Sequence, residues 1–327
     1  MEAQIYRTNS SSYQDSSFFQ QEKEKLESIP GIKYIKSLTE IRDDAPFILI
    51  SNTHTEPSEL PQILLDNTIL MVHPNSGHDN FPKRFTQEMN FPIVLGNPIR
   101  SHAVAEYILS SIFHHFTPIK NHAYWSNNRK WDRKLLKEQK ALIIGMGNVG
   151  KILYQSLSPL CEQVVAHDPY ASETIAHKDV KREWNPDLAR DKDVIVIAAS
   201  LTNSSRGMID QQFLKNLSAE ALIVNAARGE IVNEEHLISW LKKNERSHAY
   251  LDVFNEEPFR PGYLQNLPNL NKTSHIAGVY KELNNDIIEF ERFIIKEFLE
   301  SYSENKMEQF KTKYQELLLI EDSVNYL

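Results

Sequence analysis

The sequence predicts an α/β protein built on doubly wound parallel sheets in two units. Apolar runs of the length of buried strands alternate with helical segments along most of the chain. One of these runs, residues 141–144, leads directly into glycines at the spacing Gly-x-Gly-x-x-Gly. A length of 327 residues is sufficient for two domains of ordinary size.

The composition is typical of a globular protein, with 41% hydrophobic and 24% charged residues. The net charge of −8 offers no general attraction to nucleic acid or to an anionic membrane. No apolar run approaches a membrane span, and the N-terminal residues lack the apolar core of a signal peptide. The lone Cys161 offers neither an internal disulfide nor a metal cluster. We expect a cytoplasmic protein with no metal and no nucleic-acid or membrane partner.

The first ninety-six residues are predicted to form one α/β unit. A helix is expected at about residues 18–28 and a short one between residues 58 and 65. The predicted strands are residues 3–6, 32–35, 46–50, 68–72 and 93–95. Between the last two strands lies the loop of residues 75–80, whose backbone could approach a ligand.

Residues 97–280 are predicted to form a dinucleotide-binding domain. Asn97-Pro98 breaks the chain, and Ser101 is expected to cap a helix that runs to about His115. Six strands follow, as in a complete doubly wound dinucleotide fold: residues 141–144, 163–167, 194–198, 222–225, 249–253 and 273–276. From about Tyr280 a long amphipathic helix is expected to return to the first unit. Residues 1–96 and 281–327 would then form one discontinuous domain.

The glycine-rich loop has the properties of a dinucleotide cradle. Gly145 permits a tight turn, Gly147 lets a pyrophosphate approach the backbone, and Gly150 lets the following helix pack closely. Asp168, at the end of the next predicted strand, is placed to accept both ribose hydroxyls of an adenosine. No Arg or Lys is adjacent to Asp168 to receive a 2′-phosphate, so NAD is expected rather than NADP. The alternative is a structural βαβ unit.

Three later residues are of the types needed for acid–base chemistry on a 2-oxo acid. The guanidinium of Arg228 offers two parallel N–H groups that match a carboxylate. The imidazole of His275 can give a proton to a carbonyl oxygen, and a carboxylate such as Glu257 would favour its protonated form and orient it. Singly, a surface arginine, a packed histidine and a loop Glu-Pro are the more ordinary interpretations. Only the occurrence of all three residues in a chain that also carries a dinucleotide-binding loop favours a catalytic role.

The stretches that carry these residues, 225–232, 251–258 and 273–278, together with the glycine loop, resemble the D-isomer-specific 2-hydroxyacid dehydrogenases. The resemblance is clear from about Ala103 to Gly278 and weak in the first ninety residues. It implies a Rossmann nucleotide domain, a flavodoxin-like substrate domain, and NAD-dependent interconversion of a 2-oxo acid and a D-2-hydroxy acid. Arg228 would bind the substrate, His275 would be the acid/base, and Glu257 its partner.

The resemblance also implies contacts to the cofactor and the substrate. The implied cofactor-binding residues are Gly145, Gly147, Asn148, Val149, Gly150, Asp168, Ser200, Leu201, Ser205, Ala226, Ala227, Asp252 and Gly278. The candidate substrate-binding residues are Ser76, Gly77, Arg100 and Arg228. Four positions depart from the family pattern. Only Gly77 remains of two loop glycines, Ser200 and Ser274 each replace a proline, and Tyr250 replaces a small residue. The altered first-domain loop leaves the identity of the 2-hydroxy acid open.

Arg100 is a candidate for reading a second negative group on the substrate. It is expected just before a helix N-terminus, an environment that already favours anions. His78, in the variant loop, could add to the same site. The alternative is that Arg100 points to solvent or pairs with a surface acid.

The family uses the helix from Ser101 and the polar arm to Arg133 to clasp a second subunit, which implies a homodimer. Tyr124, Trp125 and Trp131 are the expected anchors, unless they fold back on their own domain. An alternative function on the same fold is an NADH-sensing, protein-binding corepressor, which retains the same three catalytic residue types. A degenerate dehydrogenase with a structural role is the third possibility.

Overall fold

The computed structural model describes residues 2–11, 14–42, 44–119, 125, 127–128, 133–171, 179–260, 262–264 and 266–319. The chain divides into two compact units, Met1–Arg100 with Val279–Leu327, and Ser101–Gly278. The strands are β1 (Ala3–Arg7), β2 (Ile32–Ile35), β3 (Phe47–Ile50), β4 (Thr68–His73), β5 (Ile93–Leu95), β6 (Lys140–Ile144), β7 (Gln163–His167), β8 (Val180–Lys181), β9 (Val194–Ile197), β10 (Leu222–Asn225), β11 (His248–Leu251) and β12 (Leu270–Lys272). The helices are α1 (Ser16–Glu27), α2 (Gln62–Asn67), α3 (Lys83–Glu88), α4 (Asn97–Phe116), α5 (Asn148–Leu157), α6 (Gln211–Leu214), α7 (Glu234–Lys243), α8 (Leu283–Ser303) and α9 (Met307–Lys313).

The sheet of the first unit is parallel throughout its described strands, in the order β2-β1-β3-β4-β5. This is the flavodoxin-like order, in which ligands bind outside the carboxyl ends of the strands. Ile48 and Ile50 of β3 face one apolar cluster, and Phe47 and Leu49 face another. The alternation follows from the two-residue period of a strand, and it requires apolar cover on both faces of the sheet.

The helix α8 supplies much of that cover on one face of the first unit. Its Ile294, Ile295 and Phe298 are fully buried in the same cluster as Ile48 and Ile50. Burying each such side chain stabilises the fold by about 1.5–3 kcal/mol. The amphipathic pattern predicted from Tyr280 therefore becomes a helix that closes the first unit.

The sheet of the second unit is also parallel, in the order β12-β11-β10-β9-β6-β7-β8. Counted from β6, this is the doubly wound order 3-2-1-4-5-6 with one further strand at the β12 edge. Leu142 and Ile144 pack into one cluster, whereas Ala141 and Ile143 pack into the cluster on the opposite face. The α/β fold class predicted from the sequence is confirmed.

Several predicted boundaries are wrong. The helix expected from Ser101 begins at Asn97, because Pro98 lies in its first turn, where a missing N–H breaks no helical hydrogen bond. Arg100 is therefore inside the first turns of α4 and not ahead of it. The strand expected at residues 273–276 is a turn, and β12 ends at Lys272. Helix α3 and the two-residue β8 were not predicted from the sequence.

Within the described residues, no helix is both long enough and apolar enough to cross a membrane.

Candidate active site

The glycine-rich loop connects β6 to α5 in a geometry that only glycine permits. Gly145 has a φ of +99°, in the region that L side chains rarely adopt, and a β-carbon there would lie 2.6 Å from Ala199 Cα. A β-carbon at Gly150 would lie 1.9 Å from the Gly145 carbonyl oxygen. At Gly147, by contrast, an added β-carbon would meet no described atom within 4 Å. The backbone at Gly147 is thus open to close approach by a ligand.

The start of α5 provides the second half of this cradle. Asn148 and Val149 open the helix, and Gly147 at its N-cap provides no side chain to bond the first N–H groups. Those groups, with the positive end of the helix dipole, suit a phosphate. The residues present therefore fit the pyrophosphate of a dinucleotide.

Asp168 lies beside this loop, at the end of β7. Its Oδ2 accepts a hydrogen bond of 2.7 Å from Met146 N, and its Oδ1 accepts one of 2.8 Å from Tyr170 N. Each carboxylate oxygen has further lone pairs for a ribose hydroxyl. The short strand β8 also brings Lys181 to this edge, where its carbonyl accepts from Asp168 N at 3.0 Å. Nothing in the sequence pattern indicated this backbone pairing.

The loops after β9 and β10 contain five more of the residues implied to bind the cofactor: Ser200, Leu201, Ser205, Ala226 and Ala227. Ser205 is buried, and its hydroxyl donates to the Ser200 carbonyl at 2.8 Å, which ties the turn around Leu201. After β10, Ala227 N donates to the Asn225 side chain at 3.1 Å, and Ala226 lies between these two residues. Both loops leave the carboxyl edge of the sheet, where such folds bind ligands.

His275 and Glu257 are in direct contact. The distance between His275 Nδ1 and Glu257 Oε2 is 2.7 Å, and the imidazole is about half exposed. Glu257 Oε1 also accepts a bond of 2.8 Å from Phe254 N. Burial alone would raise the pKa of Glu257. The hydrogen bonds from His275 and Phe254, with the charges of His275 and Arg228, outweigh burial and leave that pKa below its usual value. Glu257 is therefore ionised near neutral pH.

Asp252 shapes the turn that presents His275. This carboxylate is only 1% exposed. Its Oδ1 accepts from Thr273 Oγ1 at 2.5 Å and from Ile276 N at 2.8 Å, and its Oδ2 accepts from Ala277 N at 2.7 Å. His275 itself has a φ of +55°, a left-handed conformation. Backbone bonds from Thr273 N and His275 N to the carbonyls of Leu251 and Asp252 continue past β12, at 3.0 and 2.8 Å. The carboxylate then takes the N–H groups of Ile276 and Ala277, and the chain turns away from the sheet up to Gly278.

Arg228 lies in the loop after β10, close enough for its charge to lower the pKa of Glu257. Its Nη1 donates to the Ala227 carbonyl at 2.7 Å, and its own carbonyl accepts from Asn225 Nδ2 at 2.9 Å. The second unit thus gathers Arg228, Glu257 and His275 in one place from three loops far apart in sequence.

In the first unit, a buried histidine that the sequence analysis missed holds the loop of Ser76 and Gly77. His73 is fully buried, and burial lowers its pKa to about 4, so the ring is neutral. Its Nε2 lies 2.9 Å from the Gly77 carbonyl, an acceptor only, so Nε2 carries the proton. Its Nδ1, 2.9 Å from Ser51 Oγ, then accepts from that hydroxyl. The feature of the sequence that could have identified His73 is its place as a polar residue at the end of the apolar strand β4.

Arg100 lies next to the same loop. Its Nη1 donates to the Pro74 carbonyl at 2.5 Å, and its charge lowers the pKa of His73, after the larger effect of burial. His78 Nδ1 lies 3.3 Å from the Ser76 carbonyl. The described residues contain no group of three or more His, Cys, Asp or Glu arranged to hold a metal ion.

The family model for the D-isomer specific 2-hydroxyacid dehydrogenase, NAD binding domain, matches residues 109–277. The (S)-sulfolactate dehydrogenase of Chromohalobacter salexigens is 30% identical over 223 residues, which are 64% of this chain and 71% of that protein. The erythronate-4-phosphate dehydrogenase of Blochmanniella floridana is 26% identical over 236 residues, 71% of this chain and 59% of that protein.

Among solved structures, the D-lactate dehydrogenase of Aquifex aeolicus, complexed with NAD and lactic acid, has a TM-score of 0.69. The match covers 97% of this chain and 98% of that one at 16% identity, a level that shows a shared fold. The NAD-binding family model spans half of the chain, and its match contains the glycine loop, Asp168, Arg228, Glu257 and His275. The chain therefore belongs to the NAD-dependent D-isomer specific 2-hydroxyacid dehydrogenases.

Proposed function

We propose that this protein interconverts a 2-oxo acid and a D-2-hydroxy acid, with Arg228 holding the substrate carboxylate and His275–Glu257 acting as the acid/base pair. The observation that carries the proposal is the 2.7 Å contact between His275 Nδ1 and Glu257 Oε2 beside the charge of Arg228. When bound, NAD(H) supplies or takes up the hydride.

Each residue has a separate task in the proposed reaction. The guanidinium of Arg228 orients the substrate through paired hydrogen bonds to its carboxylate. Because Nδ1 of His275 faces Glu257, the proton that the ring exchanges with the substrate oxygen is on Nε2. The ionised Glu257 stabilises the positive imidazolium that reduction requires and fixes the orientation of the ring. In oxidation His275 takes the proton back.

The assignment of the two units and the remaining contacts is part of the same proposal. Residues 97–280 would be the nucleotide domain, and residues 1–96 with 281–327 the substrate domain. Ser76, Gly77 and Arg100 would contact the substrate, and Asp252 would reach the nicotinamide carboxamide in addition to holding its turn. The protein would be a cytoplasmic homodimer. The single cysteine, which permits no internal disulfide, supports the cytoplasm.

We further propose that the substrate carries a second negative group, bound by Arg100. The contact of Arg100 with the Pro74 carbonyl puts this cation beside the Ser76–Gly77 loop of its own unit. The relatives at 30% and 26% identity are named for sulfolactate and erythronate 4-phosphate, and both of these compounds carry a second anionic group.

The test is a panel of 2-oxo acids assayed by NADH oxidation. We expect turnover, with acids such as sulfopyruvate and oxaloacetate reduced better than pyruvate and glyoxylate. Arg100→Ala should lower kcat/KM for the dianions by about tenfold or more, since a charge-assisted hydrogen bond contributes about 1.5–3 kcal/mol. It should barely change kcat/KM for the monoanions. An equal loss on both classes would show that Arg100 does not read the second charge. Absence of turnover across the panel would favour the corepressor alternative.

A further inference from the structure

A second buried carboxylate, Glu234, is attached to the loop that carries Glu257. Glu234 is the first residue of α7 and is only 7% exposed. Its Oε1 accepts a hydrogen bond of 2.7 Å from Asn255 N, and its Oε2 accepts one from the Tyr263 hydroxyl. Asn255 comes two residues before Glu257, so Glu234 anchors the chain directly ahead of the proposed partner of His275.

The peptide that Glu234 holds also joins two parts of the site. Phe254 N, one residue earlier, donates to Glu257 Oε1 at 2.8 Å. On its other side, the Phe254–Asn255 peptide is packed against Gly229, where a β-carbon would lie 2.0 Å from the Phe254 carbonyl carbon. Gly229 directly follows Arg228. A shift of this one peptide would therefore move both the Glu257 loop and the Arg228 loop.

Helix stabilisation does not account for burying this carboxylate. Glu235, the next residue, places a negative charge in the same first turn of α7 while exposed to solvent. A buried carboxylate is costly unless it is hydrogen-bonded. Burial, with the hydrogen bond and negative charge of Glu234, raises the pKa of Tyr263 and keeps its hydroxyl a donor. Both oxygens of Glu234 are thus committed to fixing one loop.

We propose that Glu234 is a positioning residue that holds Glu257 in contact with His275. The inference rests on the proposed roles of Glu257 and His275. Removal of the Glu234 carboxylate releases Asn255 N, and the loop then samples positions in which Glu257 no longer bonds the imidazole. Misplacement of a catalytic group by about 1 Å is enough to slow a reaction by up to a hundredfold.

The experiment compares Glu234→Ala with the matched control Glu235→Ala, one residue along the same helix turn. Reduction of the best 2-oxo acid of the panel is followed from pH 5 to pH 10. We expect Glu234→Ala to lower kcat by about tenfold or more. Its KM should change much less. The alkaline limb of its pH profile should move to lower pH, and Glu257→Gln, which removes the charge that faces His275, should show the same shift. Glu234→Gln keeps an acceptor for Asn255 N and should restore most of kcat. Glu235→Ala should match the unchanged protein.

Each other outcome counts against the proposal in a recognisable way. If Glu234→Ala lowers the melting temperature but leaves the alkaline limb in place, Glu234 is a structural residue only. If that variant does not fold, Glu234→Asp shortens the side chain by one methylene and withdraws the carboxylate from Asn255 N, and an unmoved alkaline limb there also refutes the inference. If Glu257→Gln itself leaves kcat and the pH profile unchanged, the proposed acid/base pair is wrong and the role of Glu234 fails with it.

Discussion

Glu257 is the residue whose charge most directly tests the proposed chemistry. Its pKa is held below the usual value, so it stays negative over the neutral range and faces Nδ1 of His275 as an anion. Glu257→Gln keeps the shape and removes the charge. Reduction consumes a proton from His275, so we expect its rate to fall away at a lower pH in this variant. The measurement is kcat against pH in the direction of 2-oxo acid reduction.

His275→Ala is the companion variant for the same pair. A lost general acid typically costs about a hundredfold or more in kcat. Binding of NADH, measured by fluorescence titration, should be unchanged in both variants because neither removes a residue of the glycine loop. An alkaline limb that stays in place in Glu257→Gln, or nearly full activity in His275→Ala, would contradict the assignment.

At the scale of elements, α8 is tied to α1, β1 and β2 by a buried ionic cluster that the sequence analysis missed. Arg7 Nη2 donates to Glu291 Oε1 at 2.5 Å, and Arg7 Nε donates to Glu22 Oε1 at 2.8 Å. Tyr34 donates to Glu22 Oε2 at 2.5 Å. The side chains of Arg7, Glu22 and Glu291 are at most 4% exposed. The single positive charge of Arg7 thus faces two buried carboxyl groups, so one of the two carboxyls is favoured to stay protonated.

Glu291 is the group that keeps the proton. Burial raises its pKa well above the usual value, against the attraction of Arg7 and with the added repulsion of Glu22. Between pH 4.5, the ordinary pKa of a glutamate, and the higher pKa of Glu291 in the fold, the folded protein therefore binds more protons at this carboxyl than the unfolded chain does. Within that window the free energy of unfolding falls by about 1.4 kcal/mol for each unit that the pH rises.

Glu291→Gln imitates the neutral carboxyl and should abolish this dependence. We expect the variant to match the unchanged protein near pH 4 and to melt several degrees higher at pH 8, by thermal unfolding across that range. Glu300→Gln, exposed on the same helix, is the control and should change the melting temperature little. A variant less stable than the original at pH 8 would show that Glu291 is ionised in the fold.

For the whole molecule, two large exposed apolar side chains bear on how the chain assembles. Trp125 is 91% exposed and Ile119 is 98% exposed in the chain by itself, and large apolar side chains of this kind are suited to an interface. The other expected anchors, Tyr124 and Trp131, lie outside the described residues. We predict a two-fold symmetric homodimer, with a mass in solution twice the 37.9 kDa of the chain.

Light scattering at several concentrations checks the assembly. Replacement of both Ile119 and Trp125 by Ser should shift the mass toward the monomer. Replacement of the exposed Leu38 and Ile63 by Ser, in the first unit, should not. A monomer mass at every concentration for the unchanged chain would refute the homodimer.

The buried strands were largely predictable because parallel strands covered on both faces are nearly continuous apolar runs. Residues 32–35 and 93–95 match β2 and β5 at both ends. The two-residue β8 is too short to produce a hydrophobic pattern, and its pairing with β7 is visible only in three dimensions. The turn at residues 273–276 was mistaken for a strand because its short sequence, Thr-Ser-His-Ile, does not reveal the Asp252 carboxylate that shapes it.

The fold class, the dinucleotide loop and the residue types available for catalysis were all predictable from the sequence. These depend on local patterns: apolar periodicity, glycine spacing, and the chemistry of Arg228, Glu257 and His275. The buried polar groups that hold those residues became visible only in three dimensions: Asp252 for the His275 turn and Glu234 for the Glu257 loop. A buried carboxylate takes its hydrogen-bond donors from wherever the fold places them, and no spacing along the chain records that choice.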